Sequence, residues 1–325
     1  MGIQMNRPRE PFKVGNLVAQ PGTRSSGYCS LEIDGEALEL PVVIVHGERP
    51  GPVLAVTAGV HGGEYVPMVA VREFVLGLDP TAIRGTVIAS LQSSPLSFRN
   101  RSPFINPMDG KNLNRAFPGN PNGGPTEQLA YWLWSNVISR GNYFVDCHSG
   151  DIPEVLDNFA GVCPVGTPGI DDASLKLASQ FDISRVVLVE TEGSSITAAA
   201  HAGIPSVLVE VGGEGRWSPP EVAVQRDGLH RIVKFAGLLN VDSEPRTPLP
   251  GFKSQRVMCE SPGLWFPRLA PGSSIEAGAL LGVVEDPFGA VLQEARSPVP
   301  GVLIYGLSSL AANTGDLIAC IATPM

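Results

Sequence analysis

The sequence predicts an α/β protein: a mostly parallel, mixed sheet with helices on both faces, followed by an all-β, barrel-like C-terminal unit. Three observations predict it. Between about residues 53 and 240, short apolar β-branched runs alternate with segments of helical period, the pattern of successive βα units. Those runs are apolar at consecutive positions and lack the polar alternation of a sheet wet on one side, so helices are expected over both faces. The 37 glycines and 30 prolines punctuate the chain densely, so short strands and tight loops should outnumber long helices.

The strand runs are 52–59 (PVLAVTAG), 86–92 (TVIASLQ), 143–149 (YFVDCHS), 185–190 (RVVLVE) and 206–212 (SVLVEVG). Helices are expected over 64–77, 126–140, 171–181, 195–202 and 219–239, the first two with apolar residues at helical spacing. The stretch from Ser93 to Pro125 is rich in Pro, Asn and Gly and has no period; a loop of that length inside a compact domain is usually functional or disordered. Residues 242–251 (DSEPRTPLPG) hold three prolines, as a connector does. They divide the chain into 1–245, which includes an N-terminal β extension, and 252–325. In the second part no helix is expected, and Gly278-Ala-Leu-Leu-Gly-Val-Val repeats weakly as Gly315-Asp-Leu-Ile-Ala-Cys-Ile. This tail resembles the biotinyl/lipoyl-carrier barrel, in which two similar halves interlock. The last lysine is Lys253, ahead of the repeat, so a lysine-linked cofactor is excluded and the tail is expected to be structural.

Composition narrows the function. The 23 basic and 32 acidic residues leave a formal charge of -9, and no Lys/Arg-rich run offers the footprint that holds a phosphate backbone, so nucleic acid is not an expected partner. Five scattered cysteines without a CxxC pair argue against a disulfide framework and a zinc ribbon and fit a reducing, cytoplasmic setting. The N-terminal segment has charges but no apolar core, and nothing later approaches about 18 apolar residues, so neither secretion nor a membrane partner is expected. Self-association stays open.

Four local signals carry chemistry. In Gly59-Val60-His61-Gly62-Gly63-Glu64, at a strand-to-helix junction, an imidazole and a carboxylate three residues apart can face one point, as Zn²⁺ requires; the two glycines would let backbone approach the metal. In Val145-Asp146-Cys147-His148-Ser149-Gly150 a second strand delivers His148 at its carboxyl end, where parallel sheets place ligand sites. Two histidines, one carboxylate and an open position make a catalytic zinc set. In Asp109-Gly110-Lys111-Asn112-Leu113-Asn114-Arg115, Asn114 and Arg115 suit a clamp for a substrate carboxylate, although Arg115 could instead pair with Asp109. In Ser206-Val207-Leu208-Val209-Glu210, a carboxylate ends a hydrophobic strand, where burial would raise its pKa toward that of a general base; Glu190 and Glu192 are rivals on spacing alone. Strand alternation turns Cys147 away from His148, so a buried, inert thiol is expected there. His46, His201 and His230 lack matched partners.

The ordered set GVHGGE, DGKNLNRAFPG, VDCHSGD and SVLVEVGG resembles the succinylglutamate desuccinylase/aspartoacylase family, deacylases related to zinc carboxypeptidases. The resemblance is firm over about 50–215 and looser over the tail. It implies one zinc per chain on His61, Glu64 and His148, the substrate carboxylate on Asn114 and Arg115, and Glu210 as base. It also implies an arginine upstream of NLNR that polarises the carbonyl; Arg99 and Arg101 are the candidates, at a longer spacing than the family pattern, and Arg101 is preferred. The expected activity is zinc-dependent hydrolysis of the amide in a small N-acyl amino acid or related carboxylate. The alternatives are a zinc carboxypeptidase acting on peptides and a non-catalytic metal- or ligand-binding sensor.

Overall fold

The computed structural model describes residues 9–33, 35–241 and 244–325. The chain opens with a hairpin, β1 (Phe12–Val14) and β2 (Leu17–Ala19), then two long strands, β3 (Thr23–Ile33) and β4 (Glu36–His46), paired antiparallel along their full length. The βα region follows: β5 (Arg49–Ala58), α1 (Tyr65–Gly77), β6 (Arg84–Ser90), the short α2 (Pro95–Asn100), a 3-10 turn at Leu113–Arg115, α3 (Pro125–Asn136) and β7 (Tyr143–His148). Next come β8 (Glu154–Leu156), β9 (Phe159–Val162), α4 (Pro168–Ala178), β10 (Val186–Leu188), α5 (Ser195–His201), β11 (Ser206–Glu210) and α6 (Pro219–Phe235). The tail contributes β12 (Gly251–Met258), β13 (Gly263–Pro267), β14 (Ser274–Ile275), β15 (Leu280–Glu285), β16 (Val291–Arg296), β17 (Gly301–Leu307), β18 (Ala311–Ala312) and β19 (Leu317–Pro324).

All five expected strands and all five expected helices form. The differences lie at ends and inside the long loop. Pro95 opens a six-residue helix in the stretch read as aperiodic, because a proline at the first helical position needs no amide partner and six residues are too few to display a period. The helix expected over 126–140 ends at Asn136 and continues as a 3-10 turn at Ile138–Arg140.

Strands β6, β5, β7 and β11 are parallel neighbours at the centre, flanked by antiparallel β4 and β3 on one side and by β9, β10 and β12 on the other. Strand alternation divides the centre into two cores. Val56, Ala58, Val145, Cys147, Val207 and Val209 face α1 and α6, where Val71, Phe74, Leu229 and Ile232 meet them. Ala55, Phe144 and Leu208 face the opposite side, against Leu129 and Leu133 of α3 and Ile196 and Ala199 of α5. The same parity puts Thr57, Asp146, His148 and Glu210 on the α3/α5 side, which selects the face of the site.

The tail joins this sheet directly. β12 pairs in parallel with β10 (Val186↔Gly251), and β17 pairs with β8 (Tyr305↔Leu156), so hydrogen-bonded sheet runs from one part of the chain into the other. The tail also holds its own apolar centre around Trp265, Val284, Ala295 and Ile318. The two copies of its weak repeat are equivalent in structure: Gly278 (φ 83°) and Gly315 (φ 92°) each turn the chain left-handed just before β15 and β19. Among the described residues no helix is long and apolar enough to cross a membrane, and all five cysteines are buried and free.

Candidate metal centre and active site

His61, Glu64 and His148 converge, one ligand atom from each lying within 4.8 Å of the others. Glu64 stands at the N-cap of α1 but makes no cap bond there, because its carboxylate faces the two imidazoles. Its Oε1 lies 2.7 Å from His61 Nδ1 and its Oε2 2.9 Å from His148 Nδ1. The far nitrogens are held by acceptors: His61 Nε2 lies 3.1 Å from Asn112 Oδ1, and His148 Nε2 lies 2.9 Å from Asp146 Oδ2. An acceptor on Nε2 keeps a proton there, so in the neutral form of each ring Nδ1 carries the lone pair and, with the Glu64 carboxylate, points at one spot. Two imidazole nitrogens and a carboxylate oxygen gathered at one spot are a donor set that fits zinc.

Charge follows the same geometry. Burial opposes charging of His148, but Asp146 and Glu64 override it and hold its pKa well above the usual imidazole range; Glu64 raises His61 likewise against its burial. Burial also opposes ionisation of Glu64, and the two histidines overcome it and keep Glu64 ionised below the usual carboxylate range.

The glycines of HGGE serve close packing. A Cβ on Gly62 would stand 2.2 Å from the Ser97 carbonyl carbon, and one on Gly63 would stand 1.9 Å from Asp151 Oδ1. They admit α2 and Asp151 against the turn.

Glu210 pairs with His148 in the parallel register of β11 and β7, so both side chains rise from the same face of adjacent strands. Its Oε2 is buried without a hydrogen-bond partner. Burial first, then the charges of Glu64 and Glu154, push its pKa up to about 8. Glu190 and Glu192 instead border a separate cavity with Cys163, Thr197 and His201, which removes them as rivals for this position.

Asn114 is buried beside the cluster, with Nδ2 3.5 Å from His148 Nε2 and Oδ1 accepting from Ser195 N at 2.8 Å. Arg115 donates to the Asn114 carbonyl at 2.6 Å. It does not pair with Asp109, whose two oxygens accept from the Thr126 N–H and hydroxyl at the start of α3. Desolvation and the nearby Arg256 of the tail lower the Arg115 pKa, and none of the ion pairs among the described residues involves Arg115.

Among the described residues no hydrogen bond or ion pair joins Arg101 to the cluster. Arg101 ends α2 in a left-handed conformation (φ 52°) and borders, with Arg72, Arg99 and Trp217, a cavity of about 500 Å³ whose wall contains none of the three convergent residues. The loop that follows, longer than the family spacing, puts Phe104 next to His61 instead, ring edge to ring face at 6.3 Å between centroids. Phe104 has φ 61°, unusual for an aromatic residue, and its N–H donates to Asp151 Oδ2 at 2.8 Å.

Sequence reading passed over Asp146, Asn112, Thr57 and Ser195. Asp146 is the hub: Thr57 Oγ1 donates to Oδ1 at 2.6 Å, and Ser195 Oγ donates to the same Oδ2 that meets His148. The signal for it was present, since Asp146 and His148 are two apart on one strand and must share a face. The other histidines are ordinary: His46 is buried with Thr86 Oγ1 at 2.9 Å and the Glu10 carbonyl at 3.0 Å, and His230 packs edge-on against Phe74.

Residues 50–236 match the model of the succinylglutamate desuccinylase/aspartoacylase catalytic domain. The chain belongs to this family. Among its relatives is the N-alpha-acetyl-L-2,4-diaminobutyric acid deacetylase of Halomonas elongata, 29% identical over 313 residues that cover 91% of this chain and 90% of the relative. Two solved structures share the fold: a succinylglutamate desuccinylase/aspartoacylase from Rhodobacter sphaeroides (TM-score 0.85, 22% identity, 98% of this chain and 99% of that one) and the product-bound ectoine utilization protein EutE (DoeB) from Ruegeria pomeroyi (TM-score 0.84, 23% identity, 97% and 99%). The desuccinylase/aspartoacylase fold thus accounts for the α/β part and the β tail together.

Proposed function

We propose that this member of the family hydrolyses the amide bond of a small N-acyl amino acid, with one zinc ion held by His61, Glu64 and His148. The convergence of two imidazole lone pairs and the Glu64 carboxylate carries this reading, and the Halomonas deacetylase, a relative over nearly the whole chain, supports the amide of an N-acyl amino acid as the target. Zinc at such a site supplies a Lewis acid that acidifies a water molecule and polarises the amide carbonyl.

The chain's own groups do the rest. Asn112 and Asp146 hold the two imidazoles in the tautomer that presents Nδ1. Glu210, with a free oxygen and a raised pKa, takes a proton from the attacking water and returns it to the departing amine. Arg115 binds the substrate carboxylate, and the Asn114 amide N–H groups help orient it. No carbonyl-polarising role is assigned to Arg101, which borders the α2 cavity together with Arg99.

A deacylase is favoured over a peptidase because β17 of the tail pairs with β8, six residues beyond His148, and packs a wall beside the cluster. The test is incubation of metal-loaded protein with N-acetyl amino acids and with a peptide mixture. Release of acetate from the former supports the reading; ordered loss of C-terminal residues from the latter would replace it with a carboxypeptidase. Stoichiometric ligand binding without turnover would favour a sensor.

A further inference from the structure

The cavity of about 500 Å³ beside α2 is walled by α1, the C-terminal end of α2 and the loop ahead of α6. Tyr65, Met68, Val69 and Arg72 stand at i, i+3, i+4 and i+7 of α1, so one stripe of that helix faces it, while Val66, Ala70, Val71 and Phe74 turn into the core. Tyr65 and Phe98 meet edge to face, 6.0 Å between centroids and 88° between planes, which ties α2 to α1 along this wall. Trp217 completes the wall and is 54% exposed, so its indole offers a flat ring a face to stack on. The charge of the wall is one-sided. Arg72, Arg99 and Arg101 line it, and no aspartate or glutamate does. None of the ion pairs among the described residues involves these three arginines, although others on the surface are paired: Arg226 with Glu73 and Asp227, Arg231 and Arg246 with Asp182, and Arg296 with Glu294. Glu73, the sequence neighbour of Arg72, is thus taken from the α6 side. In a chain of net charge -9, three guanidiniums around one cavity reverse the local sign, and they repel one another unless an anion joins them.

We propose that this cavity is a ligand site for a mononucleotide, with the phosphate monoester held by Arg72, Arg99 and Arg101 and the base stacked on Trp217. Guanidinium forks match phosphate oxygens two at a time, and a monoester brings roughly two negative charges and three acceptor oxygens at neutral pH, where a carboxylate brings a single charge. The ring is argued by the rest of the wall: Trp217, Tyr65 and Phe98 supply aromatic surface, and Met68 a polarizable contact. Gln92 adds an amide able to bond a base edge or a sugar hydroxyl. A volume of about 500 Å³ lies within the range of pockets that hold small organic ligands. The net negative charge of the chain disfavours a long polyanion along its surface, but one monoester needs only a local cluster of cations. The site goes beyond the deacylase reading and does not depend on it.

The experiment takes the ligand apart. Metal-loaded wild type is titrated in a calorimeter with adenosine 5′-monophosphate, adenosine, ribose 5-phosphate and inorganic phosphate, and the mononucleotide titration is repeated on Arg72→Gln/Arg99→Gln, Trp217→Ala, Trp217→Phe and Arg115→Ala. Expected is saturable binding of the mononucleotide with Kd below about 1 mM. Adenosine, which lacks the anion, and ribose 5-phosphate, which lacks the ring, should each bind about tenfold more weakly or worse. The double arginine variant should lose about tenfold or more. Trp217→Ala should bring the mononucleotide down to the level of ribose 5-phosphate, and Trp217→Phe, which keeps a ring, should retain the preference, so that misfolding of one variant is told apart from loss of stacking. Arg115→Ala, which alters the proposed substrate clamp, should leave the affinity within about twofold. No saturable binding of the mononucleotide overturns the proposal, and so does a double arginine variant that binds as wild type does. Equal affinity for the mononucleotide and inorganic phosphate would reveal an adventitious ion only and overturns it, as does binding lost in Arg115→Ala, which would put the ligand at the substrate clamp.

Discussion

Glu210 stands directly beside His148 across the parallel pairing of β11 and β7, on the face turned toward α3 and α5. This one register relation sets the proposed base next to the proposed metal ligands, and a slip of one residue would turn Glu210 into the α1/α6 core instead.

Replacement Glu210→Gln keeps the shape and removes the base. The account expects kcat to fall by about 10²–10⁴-fold with metal content unchanged. Because burial raises the Glu210 pKa, the wild-type rate should climb with pH through the neutral range as its proton leaves, and a bound dication should bring that limb below the metal-free value of about 8. Unchanged kcat in Glu210→Gln, with full metal, contradicts the assignment.

Asp146 acts through His148. Asp146→Asn loses the charge on His148 Nε2 while Thr57 and Ser195 stay in place, and second-layer changes of this kind typically cost about 10–100-fold in metal affinity. Competition with a chelator measures it; affinity equal to wild type would leave Asp146 a packing residue only.

The two arginines separate by readout. Arg115→Ala should raise KM by about tenfold or more, the worth of a hydrogen bond to a charged group, with less effect on kcat. Arg101→Ala should leave kcat/KM within a few-fold, in keeping with its place on the α2 cavity. A hundredfold fall in kcat for Arg101→Ala would restore the role that its sequence position suggested.

Glu154 also predicts a pH dependence of stability. Its carboxyl holds a proton in the fold up to about pH 7, whereas an unfolded glutamate releases it near pH 4.5. Between these values the folded state binds more protons, so the contribution of this group is intact below the unfolded pKa and is lost as pH rises through 7. Thermal unfolding of metal-free protein should therefore show Glu154→Gln gaining Tm relative to wild type on going from pH 5 to pH 8. A Tm difference independent of pH would contradict the raised pKa.

Legibility in the sequence followed the reach of each physical signal. The strands and helices of the βα region were readable because continuous apolar runs and helical spacing are local, and His61, Glu64 and His148 were readable because each ends an apolar strand or opens a helix. The parity of β7 also exposed Asp146, had it been followed. Contacts made by loops were not readable: Asn112 on His61 and Phe104 beside His61 depend on how the 93–125 stretch folds back, which no period encodes, and Ser195 on Asp146 depends on where α5 starts against β7. The docking of β12 on β10 and of β17 on β8 was equally invisible, being a pairing of distant edges.

The most direct measurement is metal content against hydrolysis in one preparation: elemental analysis of wild type, chelator-treated protein and His148→Ala, each assayed on an N-acetyl amino acid before and after zinc is added back. The account predicts about one zinc per chain in wild type, loss of activity on chelation with recovery on zinc, and neither metal nor recovery in His148→Ala. Full hydrolysis by metal-stripped protein, or one tightly held zinc persisting in His148→Ala, would contradict it.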